Sequence, residues 1–198
     1  MKLKLDLHIH TNCSDGTASP EEVVIRAKEI GLDGLAISDH DTMNGLERAE
    51  KIAKKIDILL IPAVEITTPH GDILALGIRE IPKGNVIEIL NKIHKMGGIA
   101  VLSHPYAGYL RGSFTSNHKL LNMFDAIEIY NAMTPLEKNL MAIELARNRG
   151  IPGIATSDAH YIEAVGAAFI VVNIKENKNP EKEIFEKIKK GEINIGWL

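Results

Sequence analysis

The sequence predicts an α/β fold whose repeated strand-helix units favour a closed or nearly closed barrel over an open sheet. Two observations carry that expectation. Apolar runs suited to buried strands alternate with amphipathic stretches, the pattern of a parallel α/β architecture. The chain has 198 residues, 45% hydrophobic and 25% charged, enough to bury a substantial core. Nothing in that length demands a second domain, so 1–198 is read as one domain.

The elements follow in order. Leu3 to His10 reads as the first strand. After a loop through Asp15-Gly16, Ser19-Pro20-Glu21-Glu22 supplies an N-cap, a proline at the first helical position and early acids, so a helix runs to about Ile30 and stops at Gly31. Gly34 to Ser38 is a strand and Met43 to about Lys55 a helix. Leu59 to Glu65 and Asp72 to Gly77 read as two strands joined by a short polar turn. Asn85 to Met96 is helical and ends at Gly97-Gly98. Strands follow at Ile99 to Ser103, Ala126 to Tyr130, Gly153 to Ser157 and Ala168 to Val172, with helices at Pro135 to Arg149 and Pro180 to Lys190. The segment from Tyr106 to about Phe124 lacks periodicity, and long loops of this kind are often functional.

Composition removes several classes of function. No apolar stretch approaches spanning length and no signal-peptide pattern follows Met1-Lys2, so a soluble, cytoplasmic protein without a membrane role is expected. The single cysteine, Cys13, makes no internal disulfide, and a metal site would draw on nitrogen and oxygen donors among the 8 histidines and the acids. A net charge of −3 provides no global basic field for long nucleic acid.

The chemistry gathers where strands end. In Asp6-Leu7-His8-Ile9-His10, a period of two puts both imidazoles on one face, while Leu7 and Ile9 point the other way into apolar packing. One His-x-His is only suggestive, because a lone strand histidine is more often a satisfied core residue. Recurrence strengthens it. Ser38-Asp39-His40-Asp41 closes the second strand, Glu65 the third, Ser103-His104-Pro105 the fifth and Ser157-Asp158-Ala159-His160 the seventh. In parallel α/β folds the C-terminal strand ends face the active site, so these residues converge. Asp158 and His160 repeat the spacing of His8 and His10.

Taken together, His8-Ile9-His10, Ser14-Asp15-Gly16, Ser38-Asp39-His40-Asp41, Val64-Glu65, His104-Pro105 and Ser157-Asp158-Ala159-His160 resemble the successive motifs of the PHP (polymerase and histidinol phosphatase) family. Supporting stretches are Leu74-Ala75-Leu76-Gly77, Gly97-Gly98 and the run from Asp125 to Asn131. The resemblance implies a distorted (β/α)7 TIM-like barrel and two or three divalent ions, Mn, Zn or Fe, that hydrolyse phosphate esters. It places His8, His10, Glu65 and Asp158 on a first metal, with Glu65 bridging to a second that also takes His104. It places Asp15, His40 and His160 on a third. Glu65 and Asp15 are the residues expected to act in catalysis. One position departs: where many relatives carry a histidine before the Leu-Ala-Leu-Gly strand, this chain has Asp72. Asp72 either ligates the second metal, favouring a harder ion, or caps a turn, and His70 is a lesser candidate.

Other roles are assigned from the residues themselves. Arg111 and His118 are candidates for substrate contact, Arg111 as a bidentate phosphate clamp weighed against a solvated surface arginine. Asp39 is expected to orient a ligand imidazole, and Asp41 or His118 could donate a proton to a leaving group. Asn131 is expected either to contact substrate or to support the adjoining loop. The expected partner is a small phosphorylated substrate or a short nucleic acid end, with no obligate protein partner. Two rivals stand beside this reading. An amidohydrolase also begins with His-x-His but uses a bridging modified lysine, and no lysine is so placed. A non-catalytic module of a nucleic-acid-processing assembly would not need the complete ligand set.

Overall fold

The computed structural model describes residues 1–107, 113–116, 118–175 and 179–197. Its elements run β1 (Lys2–Asp6), α1 (Pro20–Glu29), β2 (Gly34–Ile37), α2 (Leu46–Ile56), β3 (Leu59–Thr68), β4 (Gly71–Leu76), α3 (Val86–Lys95), β5 (Ile99–Leu102), α4 (Ser113–Ser116), α5 (His118–Leu121), β6 (Ala126–Asn131), α6 (Leu136–Arg149), β7 (Gly153–Thr156), β8 (Ala168–Asn173), α7 (Pro180–Lys189) and β9 (Ile193–Trp197). A 3-10 turn, Ile162–Ala164, precedes β8.

Local chemistry accounts for the helix starts. Ser19 and Glu22 form a reciprocal capping box before Pro20, and Asn85 and Glu88 form another before α3. Each satisfies backbone N–H groups that the first helical turn leaves without a partner.

The strands order as β7-β6-β5-β4-β3-β2-β1-β8-β9. This sheet curls until its ends nearly meet. The chain beyond β7 pairs with the chain beyond β1 through an Ile9–Ala159 bridge, and His10 N–H donates to Ala159 O at 2.8 Å. The fold is thus the distorted barrel expected, with departures from parallel order. β4 runs antiparallel to both β3 and β5, β8 antiparallel to β1, and β9 antiparallel to β8. The last strand lay outside the expected elements. Its short run, with only Ile193, Ile195 and Trp197 apolar, is too brief to distinguish from a polar tail by periodicity.

Three apolar layers hold the barrel. Leu3, Leu5, Leu7, Ile61, Leu74, Leu76, Val101, Ile154 and Ile170 fill its interior, closed at one end by Ile184, Phe185 and Ile188 of α7. Outside, α3 and α6 cover one side of the sheet and α1 and α2 another. Each fully buried leucine or isoleucine contributes roughly 1.5–3 kcal/mol of transfer free energy. Gly77 shows how tightly the α7 plug fits. Its φ is +78°, and a Cβ there would overlap the Phe185 ring. Among the described residues no helix is long and apolar enough to cross a membrane.

Candidate metal centre

The strand ends are less regular than their sequence period implies. β1 stops at Asp6, so His8 and His10 lie on the irregular extension that closes the barrel rather than within a strand. Leu7 joins the barrel interior but Ile9 packs in the outer layer with α1, so these two residues do not share one apolar face. The turn has a buried anchor. Asp6 accepts from Ser157 N–H at 3.1 Å and Gly166 N–H at 2.9 Å, while burial pushes its pKa up to about 6. Asp158 likewise does not repeat an extended period. It has φ +53°, and its carbonyl accepts from His160 Nδ1–H at 2.8 Å.

Positive φ at non-glycine residues marks the same places. Among the described residues it occurs at Asp41, Asp57, His104 and Asp158, and all but Asp57 belong to the strand-end motifs. Such backbone is costly and persists where its surroundings over-determine it, which is common at functional sites. Gly16, in the second motif, packs so closely on the chain that a Cβ would lie 2.6 Å from His10 O. Only glycine lets the Asp15 loop approach His10 in this way.

Side chains from these ends converge. His8 Nε2 lies 3.0 Å from His10 Nε2, 3.2 Å from Glu65 Oε2 and 3.4 Å from Asp158 Oδ1. His10 Nε2 lies 3.3 Å from Glu65 Oε2 and 3.1 Å from Asp158 Oδ1. Glu65, in the middle of β3 rather than at its end, turns its other oxygen to His104 Nε2 at 3.0 Å. Asp72 Oδ2 is 4.0 Å from His104 Nε2, and Glu65, Asp72 and His104 form one group with ligand atoms within 4.8 Å of one another. His10, Asp15, His40 and His160 form another, with His160 Nε2 3.3 Å and His40 Nε2 3.7 Å from Asp15 Oδ2. The expected third set therefore also includes His10, whose Nδ1 is 3.6 Å from Asp15 Oδ1.

This arrangement fits divalent cations. Donors placed tetrahedrally at about 2.0–2.1 Å from an ion lie about 3.3–3.4 Å apart, close to the 3.0–3.4 Å separations among His8, His10 and Glu65 and from either histidine to Asp158, although Asp158 groups with His8 and His104 rather than with Glu65. Buried atoms without a hydrogen-bond partner include His10 Nδ1, His40 Nδ1, both Glu65 oxygens, His104 Nδ1 and Asp158 Oδ1. Buried polar atoms are rarely left unpaired, so such a concentration points to ligand donors. The fields agree. Burial opposes the charged form of Glu65, yet His8, His10 and His104 beside it hold its pKa well below the carboxylate range. Burial likewise opposes protonation of His104, but Glu65 and Glu128 together outweigh it and raise the imidazole to about 9. In the metal-free chain, protons on imidazoles balance the buried carboxylates, and cations could do the same.

The residue that sequence reasoning left without a role is Glu128. Fully buried, it accepts from His8 Nδ1–H at 2.6 Å and Thr156 O–H at 2.6 Å on Oε1, and from His104 N–H at 2.8 Å and Asn131 Nδ2–H at 3.1 Å on Oε2. Holding the proton on His8 Nδ1 leaves the Nε2 lone pair facing Glu65 and Asp158, the arrangement in which a histidine binds metal. A signal was present: a carboxylate between Ile127 and Ile129 in an apolar strand must be paired when buried. Asn131 also donates to Asp158 at 3.0 Å, so its side chain supports the cluster.

Other assignments change or fall outside the described residues. Asp39 orients no imidazole. It accepts from Thr11 N–H at 2.6 Å, Thr11 O–H at 2.7 Å and Ser14 O–H at 2.8 Å, tying down the loop that carries Asp15. Asp41 accepts from Thr67 N–H at 3.0 Å and so anchors β3. His70 packs its ring 5.7 Å from Phe114 and belongs to none of the metal-capable groups found among the described residues. Arg111 lies outside the described residues, and His118 begins α5 with its side chain outside the description.

The chain is similar to known proteins. An uncharacterized protein of Methanocaldococcus jannaschii is 31% identical over 144 residues, covering 66% of this chain and 82% of its own length. The 5'-3' exoribonuclease of Haemophilus influenzae is 50% identical over 68 residues, which are 34% of this chain and 25% of that protein. Among solved structures, a two-domain protein of Bacteroides vulgatus containing a predicted PHP-like metal-dependent phosphoesterase matches with a TM-score of 0.81 at 20% identity. That match covers 100% of this chain and 65% of the other, and it supports the fold. A PHP-associated family model matches residues 137–193. The PHP domain model matches residues 6–145, more than half of the sequence and every strand-end motif except Asp158-His160, and the chain belongs to the PHP domain family.

Proposed function

We propose that this chain is a metal-dependent phosphoesterase that hydrolyses a phosphomonoester or a short nucleotide phosphodiester at a centre of two or three divalent ions, Mn, Zn or Fe. The observation that carries the reading is the close packing of His8, His10, Glu65 and Asp158 donor atoms, with Glu65 shared toward His104. His8, His10, Glu65 and Asp158 would hold a first ion, Glu65, His104 and Asp72 a second, and Asp15, His40 and His160 a third. Bound cations would supply Lewis acidity, lowering the pKa of water and neutralising phosphate oxygens.

The chain's own residues set the terms of that chemistry. Glu65 is wholly buried and offers one oxygen to each of two groups, which fixes their separation. Asp15 is the most exposed member, its side chain 53% accessible, and stands at the rim where substrate would arrive. There it can orient a water or hold a proton beside His160 and His40. The exoribonuclease relative makes a nucleotide substrate reasonable, although the match covers only a quarter of that protein.

The test is metal analysis of the purified protein combined with a panel of phosphomonoesters and short oligonucleotides in Mn, Zn or Mg. Bound divalent metal and hydrolysis are expected. His8→Ala should lose both, with activity falling by at least about 100-fold. A chain that binds no divalent ion, and whose hydrolysis survives His8→Ala, would overturn the reading.

A further inference from the structure

Among the described residues, the buried side-chain atoms without a hydrogen-bond partner belong to His10, His40, Glu65, His104 and Asp158, with one exception, the Ser103 hydroxyl. Ser103 is 2% exposed and directly precedes His104. An unpaired buried hydroxyl costs free energy, and buried polar groups are seldom left so. The other buried serines, Ser38 and Ser157, occupy corresponding strand ends and are satisfied by backbone. Ser38 Oγ accepts from Ile9 N–H and Ser157 Oγ from Ala159 N–H, each at 3.2 Å, and the two hydroxyls donate to Ile9 O and His8 O, each at 3.3 Å. The Ser103 hydroxyl has no such backbone partner.

Strand register shows where it stands. β4 and β5 pair Leu74 with Val101 and Ile73 with Leu102. One step further Asp72 lies opposite Ser103, and Ser103 N–H donates to Asp72 O at 3.3 Å. Leu74 and Val101 fill the barrel interior, and a period of two puts Asp72 and Ser103 on that same inner side. Glu65 pairs with Leu74 across β3 and β4 and so faces inward too. Ser103 therefore shares a layer with Glu65 and Asp72 and adjoins His104, the group assigned above to the second ion. Three protein donors leave a divalent cation such as Mn short of its preferred coordination, so further oxygen atoms must come from water or from a phosphate. A hydroxyl without a backbone partner is suited to donate to one of them.

We propose that Ser103 is a further residue of the second-ion site, its hydroxyl donating to the water or phosphate oxygen that completes the coordination offered by Glu65, Asp72 and His104. The proposal rests on the metal-centre reading, and one titration separates the two. Metal-free wild type and Ser103→Ala are titrated with Mn, with and without inorganic phosphate, and the thermal midpoint of each metal-free chain is measured. Ser103→Ala should weaken one bound ion by about tenfold or more and leave the others unchanged. Its metal-free midpoint should hold or rise, because the substitution removes an unsatisfied buried group. Weakening with Mn alone identifies the oxygen as water, and weakening only when phosphate is present identifies it as the phosphate's. Equal Mn affinity in wild type and variant under both conditions overturns the proposal while leaving the metal centre intact. So does a variant whose ions all weaken together with a lowered midpoint, the mark of a serine that serves the fold. A wild-type chain that binds no Mn removes the metal-centre reading and this proposal with it.

Discussion

At the scale of the residue, Glu128 offers the sharpest test of how the cluster is organised. All four of its contacts are donors, so it acts as an acceptor on both oxygens. In Glu128→Gln the amide nitrogen cannot face the backbone N–H of His104, which has no way to reverse its polarity. The nitrogen must instead take the Oε1 position, facing Thr156, whose hydroxyl can rotate, and His8 Nδ1. His8 would then carry its proton on Nε2 and close the lone pair that faces Glu65. We expect metal affinity to fall by about 10–100-fold, with little change in the fold. Nitrogen chemical shifts of His8 in the metal-free chain should report loss of the Nδ1 proton in the variant, and a simple packing defect would not produce that signature.

Elements decide where those residues stand. The helices were legible because their signals are local: Ser19-Pro20 and Asn85 with Glu88 cap α1 and α3 through contacts three residues apart. β1 was legible as a strand but not in its length. Its end is set by Asp6 reaching Ser157 and Gly166, more than 150 residues away, and no local period contains that information. The α7 plug depends on a similar distant fit. Gly77→Ala would place a methyl group against Phe185 at a backbone φ that favours glycine. We expect a loss of about 1–3 kcal/mol in denaturant unfolding, with metal stoichiometry unchanged because the plug closes the end of the barrel away from the histidines.

For the whole molecule, the buried charges couple stability to pH and to metal. His104 is raised from 6.5 to about 9, so its contribution in the metal-free chain is complete below pH 6.5 and is lost as pH rises through about 9. Glu65 and Asp158 are depressed, so their contributions are present at neutral pH and are lost as pH falls through their lowered values. Between pH 6.5 and 9 the histidine effect therefore governs. Unfolding of the metal-free chain should show stability declining by on the order of a few kcal/mol across that window. Divalent metal replaces the imidazole protons, so its affinity should rise with pH over the same window and flatten the decline. Stability of the metal-free chain that is level or rising from pH 6.5 to 9 would contradict this account.

The sequence by itself determined the kinds of donor available, the alternation of strand and helix, and the positions of His8, His10, His40, His104, Asp158 and His160 at or near strand ends, while Glu65 lies within β3. These follow from composition, period and motif, which are properties of neighbouring residues. Tertiary structure alone decided that His10 faces two ligand groups, that Asp39 holds a loop instead of an imidazole, and that Glu128 fixes His8. The physical reason is common to all three. Which atom a buried polar group satisfies depends on what the closing barrel brings within hydrogen-bonding distance, and for Glu128 and His8 that partner lies 120 residues away in the chain.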